Sequence, residues 1–449
     1  MRQTAIEKDI DFTRLDPECK LGRTKNASAA KKTPAARRGL RANAPRSTAV
    51  ELTTMALMSI YKGTLTPFSV LCLVSLCLVT KAIGQKVDQS AQQDVGLGKD
   101  EHVVFIRSYG RPVHDGTSWD LLVAGRIWKG NQFWMVGAGS SWIRSALGKA
   151  GILFVQDVTG RHLTIQVGGF ADNKASTQPP NSTGKQRTIA VTSDTHGEFT
   201  GHVELSNEEV QRLSEERGKP NWHITYGLAG SLDKDSRDRI YLCTESGISV
   251  VSDIDDTIKD THVWDKTSTV LHTLSTFKAI PGMAELFTAW SRDSGAFFHY
   301  VSGGPDQMEK PMESFLDAAG FPEGSLDLRA VSLKDKKSAQ DWRGGNSCQY
   351  KIEKIGKIIR AFPHRYFCLV GDAGEGDKRA LRWLANKYPD RVKWVFIRHL
   401  PKNIKEDFVD PKRYENDPRC VESSPSIPKS VIYAEFNSPQ ELETIKLQR

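Results

Sequence analysis

No two cysteines in this chain stand in a CxxC spacing, and none of the seven falls into a metal-ligand pattern. That excludes a thiolate zinc site or a thioredoxin-like pair as the basis of function. Cys19, Cys72 and Cys77 lie near the front. Cys243, Cys348, Cys368 and Cys420 remain, an even number that allows up to two disulfides in an oxidising compartment. Of these, Cys368 sits in "YFCLVGD" and reads as a plain core residue. No internal repeat is visible, which removes the solenoid and propeller classes. An excess of positive charge is also missing where it would matter. Residues 1–84 hold 14 Lys+Arg against 6 Asp+Glu, and residues 85–449 hold 48 of each, so the net +8 belongs to the front. A nucleic-acid surface on the remainder is therefore not expected.

The front end has its own signature. "PFSVLCLVSLCLVT" (67–80) is uncharged and apolar but shorter than the ~20 residues that span a bilayer. Ala82 and Gly84 follow as small residues suited to cleavage after Gly84, and Met55 and Lys62 precede it. Residues 55–84 thus read as a secretory signal peptide. The alternative is a single-pass anchor with the basic leader, 1–54, on the cytosolic side. Residues 23–46 are basic, Ala-rich and too poor in apolar residues to fold. Cleavage would place the product in the secretory pathway, lumenal or secreted. There Asn181-Ser182-Thr183 becomes a glycosylation acceptor.

Past a linker at 85–99, residues 100–247 form short β-type runs separated by turn residues, the pattern of an all-β, sandwich-like domain. Two helices interrupt it, "GSSWIRSALGKAG" at 139–151 and one opened by a Ser206/Glu209 capping-box spacing. From 248 to 449 apolar strands alternate with amphipathic helices, predicting an α/β domain with a parallel sheet covered on both faces. The tail "VIYAEFNSPQELETIKLQR" reads as a last strand and helix.

The chemistry begins at "SVVSDIDDTIKD", where Asp253, Asp255 and Asp256 follow a buried-looking strand. At about 4 Å and an effective dielectric of 20, each carboxylate pair repels by roughly 4 kcal/mol. Ligands of parallel sheets sit at the carboxyl ends of the strands. Three such ends carry polar residues: Asp253, Asp255 and Thr257; Ser302, Gly303 and Gly304; and Gly371-Asp372 with Asp377 beyond. Lys351 opens the intervening helix. Carboxylates gathered there need a cation, and Mg²⁺ suits carboxylate and phosphate oxygens. Asp253, Asp255, Asp372 and Asp377 are the candidate ligands. Asp253 can act as a nucleophile toward phosphorus and Asp255 as acid and then base. Thr257, Ser302, Gly303 and Lys351 can bind the phosphoryl group. Asp256, Glu375 and His299 are assigned to the scaffold.

These motifs, "DIDDT", "YVSGGP", "YK" and "GDAGEGD", resemble the four of the haloacid dehalogenase phosphatase superfamily. "SDIDDTIKDT", "TFKAIPGM", "GFPEGSLDLR" and "YKIEKIGKIIRAFP" narrow the resemblance to the catalytic domain of the actin-patch type of phosphatidate phosphatase, related to the lipins. It is close over about 248–400 and extends through "GTSWDLLVAGRIW". The resemblance implies Mg²⁺-dependent conversion of phosphatidate to diacylglycerol and phosphate, with Asp253 the nucleophile, Asp255 the acid/base, Thr257, Ser302 and Lys351 on the phosphate side, and Asp372 and Asp377 on the metal side. Family members commonly read "GDSGE" where this chain has Ala373.

The short stretch between the first motif and the next helix leaves no room for a large cap, as a membrane-resident phospholipid substrate requires. Two alternatives stay open: a secreted phosphatase of soluble or protein phosphomonoesters, and a catalytically silent phosphatidate-binding module. Protein partners are not indicated.

Overall fold

The computed structural model describes residues 96–129, 156–170, 187–215, 222–261, 277–331, 347–374, 376–401, 417–420 and 426–448, all within one compact unit, Lys81–Arg449. Among these residues the fold is mixed α/β, with two sheets. The signal-peptide or anchor segment, the glycosylation tripeptide, the helix expected at 139–151 and Glu375 lie outside the described residues. Among the described residues no helix is long and apolar enough to cross a membrane.

The first sheet has nine strands: β1 (Glu101–Phe105), β2 (Ser108–Val113), β3 (Ser118–Lys129), β4 (Gln156–Asp157), β5 (His162–Val167), β6 (Arg187–Thr192), β7 (Glu198–Ser206), β8 (His223–Leu228) and β9 (Arg237–Leu242). Its order is β1-β3-β2-β9-β8-β5-β6, with β4 and β7 also paired to β3. The long β3 is the hub, antiparallel to β7 from Ser118↔Ser206 to Arg126↔Glu198. Gly201 of β7 has no side chain because Ile189 and Val191 of β6 press on that spot; a Cβ there would lie 2.9 Å from Ile189 Cδ1. The sheet thus curls until β6 meets β7 around one core that includes Phe105, Leu121, Phe199, Ile224 and Tyr226. The capping box is present on α1 (Asn207–Leu213), where Ser206 and Glu209 satisfy each other's backbone N–H groups.

The second sheet is parallel throughout. It contains β10 (Ser246–Ser252), β11 (Phe297–Pro305), β12 (Gly324–Arg329), β13 (His364–Asp372), β14 (Val392–Arg398) and β15 (Ile432–Phe436), in the order β12-β11-β10-β13-β14-β15. The strand boundary lies at Ser246, two residues before the division expected at 248. Alternation along β10 sends Val250 to one face and Val251 to the other. Val250 joins α2 (Met283–Ser294) and α3 (Glu309–Ala318) through Met283, Phe287, Met312 and Phe315. Val251 joins α4 (Ser347–Ala361) and α5 (Asp377–Lys387) through Ile355, Ile359, Leu381 and Leu384. Both faces are buried, which is why these strands read as continuous apolar runs. The tail supplies β15, but its expected helix is a single 3₁₀ turn, Pro439–Leu442. Pro439 at its start and only four residues before the next turn leave too little chain for an α-helix.

Cys348 and Cys420 form a disulfide, while Cys243 and Cys368 are free and buried. Cys368 is the core residue its strand context predicts, in contact with the α2–α3 face.

Candidate active site

Register builds the site. Ser252 lies beside Tyr300 on one side and Val370 on the other, and the Asp253 N–H continues the ladder by donating to Val370 O at 2.9 Å. The ends of β10, β11 and β13 therefore emerge together, carrying Asp253, Ser302 and Asp372. The second turn of α4 delivers Lys351, and α5 opens with Asp377. All five side chains are almost fully buried.

Oxygens of Asp253, Asp372 and Asp377 lie within 4.8 Å of one another. Lys351 Nζ stands 2.6 Å from Asp253 Oδ1 and also pairs with Asp377 Oδ1. Thr257 Oγ1 donates to Asp253 Oδ2 at 2.8 Å. Gly371 must be glycine, because a Cβ would come within 2.6 Å of Asp377 Oδ2. Burial drives the Asp253 carboxyl up to about 8, against the pull of Lys351 and aided by Asp377 and Asp255. Burial also raises Asp377 to about 6, again opposed by Lys351 and reinforced by Asp372. One ammonium is too little positive charge for three buried carboxyls. In addition, Asp377 Oδ2 is buried without a hydrogen-bond partner among the described residues. An all-oxygen donor set with an orphaned carboxylate oxygen fits a hard divalent cation.

Asp255 is placed differently. Its carboxylate belongs to another set: Ser302 Oγ donates to Oδ2 at 2.9 Å, and Thr261 Oγ1 (2.8 Å) and Lys259 Nζ (3.3 Å) meet Oδ1. It is not one of the three clustered carboxylates. Burial opposes its ionisation, but the Lys259 charge and the bonds from Thr261 and Ser302 outweigh that and hold it below the usual carboxylate range. Asp253 and Asp255 are thus shifted in opposite directions.

The irregular stretch Ser302–Gly304, between the last paired positions of β11, leaves space beside Gly303. Gly304 N donates to Ser302 Oγ at 2.9 Å, and a Cβ on Gly303 would meet only Ser347 Oγ, at 3.5 Å. Ser347 Oγ is buried and has no partner among the described residues.

Of the residues expected to share one pocket, the structure gathers Asp253, Thr257, Lys351, Asp372 and Asp377 into one hydrogen-bonded and ionic cluster. Ser302 and Asp255 form a second cluster beside it. Asp256 and His299 are held by their neighbours. Asp256 takes a left-handed φ of 56°, its carbonyl accepts from Arg398 Nη1 at 2.6 Å and its carboxylate caps Thr261 N at 3.0 Å. His299 is enclosed between Ser325 and Ser249. Lys259, Thr261 and Ser347 were missed. Lys259 stands in "DDTIKDT" between apolar and acidic neighbours, a signal too weak to predict complete burial. Its burial comes from residues 258–260 folding back onto 278–280, with Ile280 N donating to Ile258 O at 2.8 Å.

Comparison with known proteins agrees with the motifs. Residues 248–399 match the family model described as phosphatidate phosphatase APP1, catalytic domain. Phosphatidate phosphatase APP1 of Saccharomyces cerevisiae is 31% identical over 157 residues, 34% of this chain and 26% of that protein. An uncharacterized protein of Schizosaccharomyces pombe is 28% identical over 160 residues, with the same shares. The chain thus spans about a quarter of the length of these curated relatives. A solved chain from a study of a carbohydrate esterase active site has a TM-score of 0.17 and 11% identity, covering 66% of this chain and 88% of that one; at that level it carries no argument. Residues 248–399, which hold every carboxylate of the site, are therefore similar to a catalytic domain of the phosphatidate phosphatase APP1 type.

Proposed function

We propose that this chain is a Mg²⁺-dependent phosphatase that hydrolyses phosphatidate to diacylglycerol and phosphate through an aspartyl-phosphate on Asp253. The observation that carries the reading is Asp253 itself: buried at a strand end, paired to Lys351, and clustered with Asp372 and Asp377 beside the Ser302–Gly304 stretch. The lipid substrate rests on the match of 248–399 to a phosphatidate phosphatase catalytic domain.

Asp253, Asp372 and Asp377 would hold the ion, which when bound supplies the positive charge that keeps Asp253 a carboxylate and offsets charge on the phosphoryl group. An Asp253 oxygen attacks phosphorus as the ester P–O bond breaks, and Asp255, a carboxylate at rest that takes up the proton of the bound phosphate monoester, delivers that proton to the departing alkoxide. Asp255, now a carboxylate, takes a proton from water, whose oxygen attacks phosphorus and releases phosphate from Asp253. Lys259 and Thr261 favour the base form needed in this second half. Ser302, the amides of Gly303 and Gly304, and Lys351 orient the phosphoryl oxygens. Thr257 fixes the Asp253 rotamer through its hydrogen bond.

The proposal includes the division into a sandwich-like β domain (100–247) and a haloacid-dehalogenase-like domain (248–449) without a large cap. It also includes passage through the secretory pathway. The Cys348–Cys420 disulfide supports that route, since such bonds persist in oxidising compartments. The same observation favours a second reading, a lumenal or secreted enzyme acting on soluble phosphomonoesters.

The test is phosphate release by the full chain, comparing phosphatidate in mixed micelles with soluble phosphomonoesters, with Mg²⁺ and with chelator. Chelator-sensitive release selective for phosphatidate, lost in Asp253→Asn, is expected. Release from soluble esters alone discards the lipid substrate and keeps the mechanism. Phosphatidate binding with no release leaves the binding module.

A further inference from the structure

Behind the Ser302–Gly304 loop sits an arginine from the other sheet. β11 pairs with β12 up to Val301↔Asp327, loses register, and rejoins at Pro305↔Arg329. Ser302, Gly303 and Gly304 are the bulge between those anchors. Immediately past the second anchor comes the 3₁₀ turn Asp306–Met308. Asp306 is 2% exposed and accepts a hydrogen bond from Nη1 of Arg126, a β3 residue that is itself 1% exposed.

Every nitrogen of that guanidinium is engaged. Nη1 also donates to Val331 O (3.3 Å), Nη2 donates to Val331 O (3.4 Å) and to Asp157, and Nε donates to His196 O (2.9 Å). Val331 lies just past the end of β12, and Gln307 Nε2 donates to the same carbonyl at 2.7 Å. Arg126 therefore grips both chain segments that flank the bulge, the turn after β11 and the exit of β12. Its planar fork makes these contacts at once, which a lysine cannot do. A bulge held at both anchors presents its amides in one arrangement, and fixed donors are what stabilise charge developing on a transferred group.

We propose that Arg126 is a positioning residue of the phosphate site: through Asp306 and Val331 it fixes the Ser302–Gly304 bulge, and so makes the first sheet part of the catalytic unit. This rests on the phosphatase reading given above.

The experiment compares the full chain with Arg126→Lys, Asp306→Asn and a control, Arg239→Ala. Arg239 also joins the two sheets, pairing with Glu323 at 3.2 Å before β12 begins, but touches neither flank of the bulge. Amide hydrogen exchange over 301–308, kcat and KM for phosphate release, and thermal melting are measured on each. In Arg126→Lys, exchange at Gly303 and Gly304 is expected to quicken by about tenfold or more. kcat/KM should fall by about 10- to 100-fold, chiefly through kcat. Arg239→Ala is expected to change melting only. Wild-type exchange across the bulge in a folded Arg126→Lys, or a kinetic loss no larger than that of Arg239→Ala at equal melting temperature, overturns the proposal. If Arg126→Lys does not fold, Asp306→Asn decides by the same criteria, since it keeps the volume and removes the charge. If the wild type releases no phosphate at all, the phosphatase reading fails, and the exchange measurement alone still decides whether Arg126 fixes the bulge.

Discussion

Lys351 connects the site's two functions, structural and chemical, because its single ammonium pairs with both Asp253 and Asp377 inside the protein. Removing one partner of a buried ion pair is more damaging than never having had it. Lys351→Met, which keeps the stem and loses the charge, is expected to cost about 3–5 kcal/mol in denaturant unfolding without divalent ion. Adding Asp377→Asn should recover part of that loss; an additive double variant would refute the pairing. His299 gives a pH prediction. It is fully enclosed, with Ser249, Ser325 and Tyr109 around it and the Arg365 guanidinium bonded to the same Ser249 hydroxyl. Burial, then the Arg365 charge, holds its pKa well below 6.5. A depressed folded pKa contributes stability that is present above the unfolded value and lost as pH falls toward the folded one. Stability should therefore drop below pH 6.5, by at most about 1.4 kcal/mol per pH unit from this residue. His299→Gln should flatten that part of the curve, measured by urea unfolding between neutral and mildly acidic pH.

At the scale of elements, α4 joins the site to the disulfide. Cys348 precedes Lys351 by three residues, one turn of the helix, so the bond to Cys420 anchors the turn that delivers the lysine. The bond closes a loop with a sequence separation of 72, worth about 4 kcal/mol in the chain-entropy account. Cys420→Ser should lose about 2–4 kcal/mol of stability; an unchanged unfolding midpoint would show that the bond constrains nothing. The strand–helix alternation after 248 was legible because the hydrophobic period itself changes there. The convergence of Asp253, Ser302 and Asp372 was legible because parallel strands must bring their carboxyl ends to one edge. What was not legible depends on long-range contacts. Asp255 was counted among the candidate ligands at the strand ends, and its contacts with Lys259 and Thr261 depend on a fold-back near residue 279. Arg126 lay in plain view in "AGRIW", but its partner Asp306 is 180 residues distant.

For the whole molecule, the net charge of +8 belongs to residues 1–84, and residues 85–449 carry equal numbers of each sign. The two sheets are joined by ionic contacts, buried at Arg126–Asp306 and more exposed elsewhere. Arg126 meets Asp306, and Arg107 meets Asp317 at 2.8 Å and Glu313 at 3.4 Å. Lys310 reaches back to Asp238 at 2.7 Å. Such pairs orient partners more than they stabilise them, which suits a first sheet that aligns the catalytic one. The central claim is covalent: phosphate passes through Asp253. The most direct measurement is rapid acid quench of the full chain turning over phosphatidate labelled on its phosphate, followed by peptide mapping of the retained label. The account predicts an acid-stable, base-labile acyl phosphate on Asp253, absent from Asp253→Asn. Rapid turnover by Asp253→Asn, or label mapped to a different residue, would contradict it.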